Sequence, residues 1–224
     1  MQLEAERRAI CEACRAMHAA ELVVNTSGNI SVRAGNLVAI TPNGIPYESM
    51  QPGDVCLIDL DTGNEIENGL RPSSELPLHL AVYRSTDAGA IVHTHSLYAT
   101  TLSTLVDELP AIHYQIADLG GPIRVMPYAT FGSDALAAST AAGLADRRGV
   151  LMKNHGSTTI GPDLKRALTR AILLEWLCHV FYLARAGGSP SVLDAEEIGR
   201  VAANQARNAE QRERRLADRA RKGS

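Results

Sequence analysis

Positive charge is scarce in this chain. Its 22 Lys and Arg residues fall short of 25 Asp and Glu, and the formal net charge is −3. That balance supplies no basic field for nucleic acid or an anionic membrane surface, so small molecules are the expected partners. Long apolar runs are missing as well. The stretch Met1-Gln2-Leu3-Glu4-Ala5-Glu6-Arg7-Arg8 has no apolar segment after its charges. No run approaches the roughly 20 apolar residues of a bilayer span, and the expected location is cytoplasmic. Cysteine is limited to Cys11, Cys14, Cys56 and Cys178. Without a secretory segment these fit reduced thiols better than a disulfide framework. Cys11-x-x-Cys14, with His18 four residues on, lacks a second cysteine pair and a preceding βαβ unit, so it reads as small apolar thiols on the buried face of a first helix.

What is present is enough apolar material, 45% of 224 residues, for one well-filled core. The pattern predicts one unit over residues 1–200 and a charged helical tail over 201–224. Residues 3–20 read as a helix, and short β-type segments follow at 30–33, 37–40 and 55–59 among Asn, Gly and Pro clusters. Helices are expected at 75–85 and 133–148, and strands at 90–95, 123–126, 150–154 and 157–160. Residues 164–186 form the longest helical pattern. Leu168, Ile172, Trp176, Val180 and Leu183 lie on one stripe expected to face a sheet or a neighbouring subunit, and Gly187-Gly188 stops the helix. Residues 194–222 alternate Arg with Glu and Asp and read as a solvated helix.

Histidine carries the first chemical signal. In Ile91-Val92-His93-Thr94-His95-Ser96 the residues at i and i+2 of a strand share a face, so His93 and His95 project together. Each buried ring holds a donor and an acceptor that must be satisfied, and two rings on one face can share a metal. His155, in Lys153-Asn154-His155-Gly156 at the end of another strand, is the candidate third ligand. Three histidines leave a tetrahedral zinc site open for substrate. His79 falls four residues after Glu75 and could reach the same region in a supporting or purely structural role. A second signal lies in Pro72-Ser73-Ser74-Glu75. Hydroxyls and N–H groups at a helix start serve equally as cap and anion site, while the turns Gly28-Asn29 and Asn43-Gly44 can close around a phosphate.

Together with Ser27-Gly28-Asn29-Ile30-Ser31-Val32-Arg33, Ile40-Thr41-Pro42-Asn43-Gly44-Ile45-Pro46-Tyr47, Ala111-Ile112-His113-Tyr114 and Pro127-Tyr128-Ala129-Thr130-Phe131-Gly132, these motifs resemble the class II aldolase/adducin head family. The likeness spans roughly residues 3–200 and is nearest the members that act on L-fuculose 1-phosphate. It implies an α/β class fold, three-layer α/β/α around a mostly antiparallel central sheet. It also implies a C4 homotetramer with sites at subunit interfaces and one zinc per subunit. By the same resemblance His93, His95 and His155 are the zinc ligands. Glu75 is the acid/base that also borders the metal in the absence of substrate. Gly28, Asn29, Asn43, Gly44, Ser73 and Ser74 bind phosphate, and Tyr114 reaches the aldehyde oxygen of an adjacent subunit's site.

The activity so implied is reversible cleavage of a ketose 1-phosphate, L-fuculose 1-phosphate or a 5-deoxy-pentulose 1-phosphate, to dihydroxyacetone phosphate and a small aldehyde. A Schiff-base route needs a desolvated lysine, and only Lys153, Lys165 and Lys222 exist. Two departures from the family stand out: Asn43 after the proline, and a tail without tyrosine to close over the aldehyde. The same scaffold serves decarboxylases of phosphorylated 3-oxo sugar acids. It also serves pentulose-5-phosphate 4-epimerases, whose members carry aspartate where this chain has Glu75. A non-enzymatic adducin-like head needs no histidine trio.

Overall fold

The structure is a computed structural model, and it describes residues 1–67 and 69–222. Asn68 lies outside the described residues, as do Gly223 and Ser224 at the end of the expected tail. Nine strands form one mixed sheet: β1 (Asn29–Ala34), β2 (Leu37–Ile40), β3 (Cys56–Asp59), β4 (Glu65–Glu67), β5 (Ala90–Thr94), β6 (Glu108–Leu109), β7 (Ile123–Met126), β8 (Gly149–Met152) and β9 (Gly156–Gly161). Their order is β4-β3-β2-β1-β5-β9-β8-β7-β6. All neighbours are antiparallel except β7 and β8. The α/β/α architecture with a mostly antiparallel sheet is therefore present as expected.

The sheet is central because its strands are apolar on both faces. In β5, Ala90 and Val92 enter one cluster with Ile10, Cys14, Met17 and Ile30, while Ile91 enters another with Leu78, Val82, Leu136 and Val150. That period-two division puts α1 (Glu4–Ala19), α3 (Leu97–Leu105) and α5 (Leu164–Gly187) on one face, and α2 (Leu76–Ser85) and α4 (Asp134–Gly143) on the other. His93 follows Ile91 in register, so its ring points toward α2.

Two expectations need correction, and one that was open is narrowed. The α5 stripe expected to face a sheet or a neighbouring subunit does not face the sheet: Ile172, Trp176 and Leu183 are exposed, and the buried positions are Ala167, Arg170, Ala171, Leu174, Leu177, Cys178 and Phe181. Arg170 lies on the buried side and donates to the Ile160 carbonyl at 2.8 Å, a polar partner that an apolar stripe does not reveal. α4 stops at Gly143, not at 148, because the chain turns so that Arg124 and Arg147 can both grip Asp146 at 2.6 and 2.7 Å. α2 begins one residue later than its hydroxyls suggest. Glu75 stands at the cap position, while Ser73 accepts from the Glu75 N–H at 3.2 Å. Cys11 and Cys14 are buried, and exposed His18 pairs with Glu48 at 3.0 Å, in keeping with a structural role for that motif. α6 (Ala195–Lys222) runs through residue 200 and is tied to the body by buried Ile198 and the bond from Leu193 N–H to the Ala111 carbonyl, 2.9 Å.

Candidate active site

Strand register brings the histidines together. β5 delivers His93, and His95 follows where the strand ends. There Glu175 of α5 accepts from the N–H groups of Tyr98 and Ala99, each at 2.8 Å, and from the Ser96 hydroxyl at 2.7 Å. This carboxylate at the N-terminus of α3 fixes the point where the chain leaves the sheet. His155 lies in the turn between β8 and β9. Asn154 takes φ of 56°, a left-handed conformation that asparagine tolerates, and Gly156 comes so close to β5 that an added Cβ would sit 2.2 Å from the Thr94 carbonyl oxygen.

The three rings meet edge to face with centroids 4.8, 5.0 and 4.8 Å apart. His93 Nε2 lies 2.9 Å from His95 Nε2 and 2.9 Å from Glu75 Oε2, and His155 Nε2 lies 3.3 Å from Glu75 Oε1. All four ligand atoms fall within 4.8 Å of one another. The four groups are placed to hold a metal ion. His93 Nδ1 faces the Ser157 carbonyl at 2.9 Å, and a carbonyl only accepts, so the Nε2 lone pair is aimed at the Glu75 carboxylate, itself an acceptor, and at the facing nitrogen of His95. Glu75, only 5% exposed, keeps Oε1 without a hydrogen-bond partner. Burial holds His95 down to about 3 and His155 to about 4, with His93 adding to both, so they are neutral as metal coordination requires. Burial alone would raise the Glu75 carboxyl, but His93, His155 and the Asn29 amide outweigh it and hold the group below the usual carboxylate range. An orphaned buried carboxylate oxygen, converging lone pairs and neutral rings fit a metal ion.

Beside this cluster opens a polar cavity of about 130 Å³. Gly28, Asn29, Asn43, Gly44, Ser73 and Ser74 all line it, together with Glu75, His95 and His155. The phosphate set expected from sequence is thus gathered in one place. Gly28 and Gly44 take φ of 82° and 75°. Tyr47 donates to the Gly28 carbonyl at 2.7 Å, and bonds from Asn43 N–H to Arg71 O and from Ser73 N–H to Thr41 O close the two loops on each other. Backbone amides in such turns form an anion cradle.

Tyr114 is the exception. It sits on the short 3-10 helix Tyr114–Leu119, is 52% exposed beside His113, and does not line this cavity. Phe131 at the mouth, 67% exposed, was not singled out from sequence as a site residue. Its only signal is a large aromatic before Gly132, whose φ of 72° and close approach to the Ser74 carbonyl seat the loop. Glu175 gave no local signal at all, because its partners lie almost eighty positions away.

A histidine–carboxylate cluster able to hold a metal ion, beside a polar cavity lined by turn amides and hydroxyls, on a helix-covered and mostly antiparallel sheet, fits the class of metal-dependent enzymes that act on small molecules. The sequence matches the profile of the Class II Aldolase and Adducin N-terminal domain over residues 8–182, and the chain belongs to that family. It is 41% identical over 205 residues to a 5-deoxy-D-ribulose 1-phosphate aldolase of Bacillus thuringiensis serovar kurstaki, covering 90% of this chain and 96% of that one. It is 40% identical over 198 residues to the L-fuculose phosphate aldolase of Escherichia coli K12, covering 87% and 91%. A solved L-fuculose 1-phosphate aldolase superposes with a TM-score of 0.89 at 34% identity, covering 92% of this chain and 98% of that structure.

Proposed function

We propose that this protein is a zinc-dependent aldolase that reversibly cleaves a ketose 1-phosphate, a 5-deoxy-pentulose 1-phosphate or L-fuculose 1-phosphate, to dihydroxyacetone phosphate and a small aldehyde. The observation that carries the reading is the position of Glu75, shared between three converging imidazoles and the wall of the anion cavity. The likeness to aldolases of both substrates supports it.

In this reading His93, His95 and His155 hold one zinc per subunit, and Glu75 completes the set when substrate is absent. The ion, when bound, supplies Lewis-acid stabilisation of the negative charge that develops on the ketose oxygens, worth several kcal/mol. Gly28, Asn29, Asn43, Gly44, Ser73 and Ser74 take the phosphate through amide and hydroxyl donors and so set the distance of C3 from Glu75. In the synthetic direction ionised Glu75 removes a proton from the hydroxymethyl carbon of dihydroxyacetone phosphate, and that carbon attacks the aldehyde. In cleavage the C4 hydroxyl loses its proton with the help of Tyr114, the C3–C4 bond breaks, and Glu75 returns a proton to C3. Such positioned proton transfer contributes about a hundredfold or more.

Tyr114 acts on a neighbouring subunit's cavity in this scheme, within a homotetramer whose sites lie at subunit interfaces. Its exposure, and that of Leu97, Ile172 and Trp176, supplies apolar surface for such contacts. The enzyme works in the cytoplasm. Purified protein should carry about one zinc per chain by elemental analysis and release dihydroxyacetone phosphate from a ketose 1-phosphate. A panel that includes pentulose 5-phosphates and phosphorylated 3-oxo acids separates aldolase from epimerase and decarboxylase. Release of carbon dioxide or epimerisation without cleavage overturns the assignment.

A further inference from the structure

Behind Glu75 a row of buried polar side chains leads away from the cavity, and the reaction scheme leaves it unused. Glu75 at the cap of α2, and His79 and Tyr83 within it, stand at i, i+4 and i+8, one above another on the face turned to the sheet. Strand β1 carries Asn29 and Ser31 on alternate positions of the face opposite. The two rows interleave. Asn29 Nδ2 is 2.9 Å from Glu75 Oε2, and Asn29 Oδ1 is 2.5 Å from His79 Nε2. His79 Nδ1 is 2.6 Å from Ser31 Oγ, which is 2.8 Å from the Tyr83 hydroxyl. His79 and Ser31 have no exposed surface, and none of the five exceeds 5%.

The direction of every bond follows from donor and acceptor chemistry. An ionised carboxylate only accepts, so Asn29 turns its NH2 to Glu75 and its carbonyl oxygen to His79. That oxygen also only accepts, so His79 Nε2 bears the hydrogen. The ring is neutral, because it has no exposed surface and burial pushes it well below the usual imidazole range. Nδ1 is then a bare lone pair, Ser31 donates to it, and the Tyr83 hydroxyl donates to Ser31. Each link along the chain donates toward the carboxylate. The other tautomer would set a lone pair against Asn29 Oδ1 at 2.5 Å and favour rotation of the amide. A rotated Asn29 would turn its oxygen on Glu75 and offer an acceptor, not a donor, to an anion in the cavity.

We propose that His79, held in its Nε2–H tautomer by Ser31 and Tyr83, is a positioning residue that fixes the amide of Asn29 and through it aims the Glu75 carboxylate and the anion cradle. The inference rests on Glu75 being the proton-transferring group proposed above. Satisfied buried polar groups alone would give the same distances, but they would not make function depend on which nitrogen bears the hydrogen.

The test combines 15N-histidine NMR of the metal-loaded protein with kinetics and inorganic phosphate binding by calorimetry. Wild-type His79 should show a protonated Nε2 and an unprotonated, hydrogen-bonded Nδ1. His79→Leu should lower kcat/KM by about 10–100-fold, the usual scale for a group that orients site residues, and should weaken phosphate binding at unchanged metal content. His79→Gln, whose amide can donate from the same place, should recover most of both. Ser31→Ala removes one hydroxyl with little change of shape and should populate the other tautomer with a parallel loss; it serves where His79→Leu does not fold. An Nδ1–H tautomer in the wild type overturns the proposal, as does a folded His79→Leu or Ser31→Ala variant with wild-type kcat/KM and phosphate affinity. A wild-type protein that cleaves no ketose phosphate but shows the tautomer and the phosphate effects would overturn the reaction assignment and leave the positioning role standing.

Discussion

His93 Nδ1 lies 2.9 Å from the carbonyl oxygen of Ser157, a bond between adjacent strands of the sheet. Because the partner is backbone, it holds the ring as the Nδ1–H tautomer and turns Nε2 to the centre of the cluster, the support a ligating histidine ordinarily receives. His93→Ala should therefore lower bound metal after dialysis from about one per chain to a small fraction. Ser157→Ala keeps the carbonyl and should keep the metal. It loses the hydroxyl pairing with Thr94, worth about 1 kcal/mol of stability. Elemental analysis of the two variants side by side checks the expectation, and equal loss in both would contradict it.

Glu75→Gln retains size and a polar head but cannot accept or return a proton. Three histidines remain to hold the metal, so metal content should persist. Turnover should fall about 10²–10⁴-fold. Rates of dihydroxyacetone phosphate release at matched metal occupancy measure it, and a loss of less than tenfold would remove Glu75 from the proton-transfer step.

The meeting of the three histidines was legible in sequence because each follows a local rule. His93 obeys strand periodicity, His95 keeps the same two-residue spacing one position past the end of β5, and the turn chemistry of Asn154 and Gly156 flags His155. What local rules did not reveal depends on distant partners. The buried edge of α5 carries Arg170, which reaches the Ile160 carbonyl, and the same helix carries Glu175, which caps α3; neither partner is visible to a local pattern, so the apolar stripe alone left the sheet and a neighbouring subunit both open. The start of α2 was misjudged by one residue because Ser73 spends its hydroxyl on Glu75 N–H and leaves Glu75 at the cap. Strand β6 has only two residues, too few for any periodicity to show.

Two cradle glycines should respond unequally to substitution. Gly44 has φ of 75° with nothing within 4 Å of an added Cβ, so Gly44→Ala carries only the left-handed backbone cost, about 1–2 kcal/mol. At Gly28 the Cβ would also meet Val23 Cγ1 at 2.7 Å and the His93 carbonyl at 2.8 Å, adding an overpacking cost of about 1–3 kcal/mol. Urea unfolding should rank Gly28→Ala well below Gly44→Ala. KM for the ketose phosphate should rise more in the former, because both glycines line the cavity but only at Gly28 does the added Cβ clash and displace that backbone.

The cysteines should be silent until the protein unfolds. Burial, with the Glu65 charge beside it, pushes the Cys56 thiol up to about 12, and burial raises Cys11, Cys14 and Cys178 as well. Each group is therefore a thiol, not a thiolate, across the neutral range, and reactivity should appear only as pH climbs toward those raised values. At pH 8 a group of pKa 12 is ionised in about one molecule in ten thousand. DTNB should count no fast-reacting thiol in the native protein and all four after denaturation. Rapid native labelling of Cys11 or Cys14 would reopen a redox role for that pair.

The role proposed for Tyr114 makes an unusual prediction about mixtures. Its ring is half exposed beside His113, and within its own chain it does not line the cavity that holds Glu75. Tyr114→Phe should lower kcat without disturbing metal content, and Glu75→Gln should be nearly inactive for the separate reason given above. If Tyr114 serves a neighbouring subunit, co-refolding equal amounts of the two variants creates sites that join an intact Glu75 from one chain to an intact Tyr114 from another. Random assembly of a cyclic oligomer makes about a quarter of all sites complete in this sense. Activity should then rise well above the mean of the parent variants, toward about a quarter of wild type. If Tyr114 folded over its own chain's site, no mixture could join the two intact groups, and activity would stay at that mean.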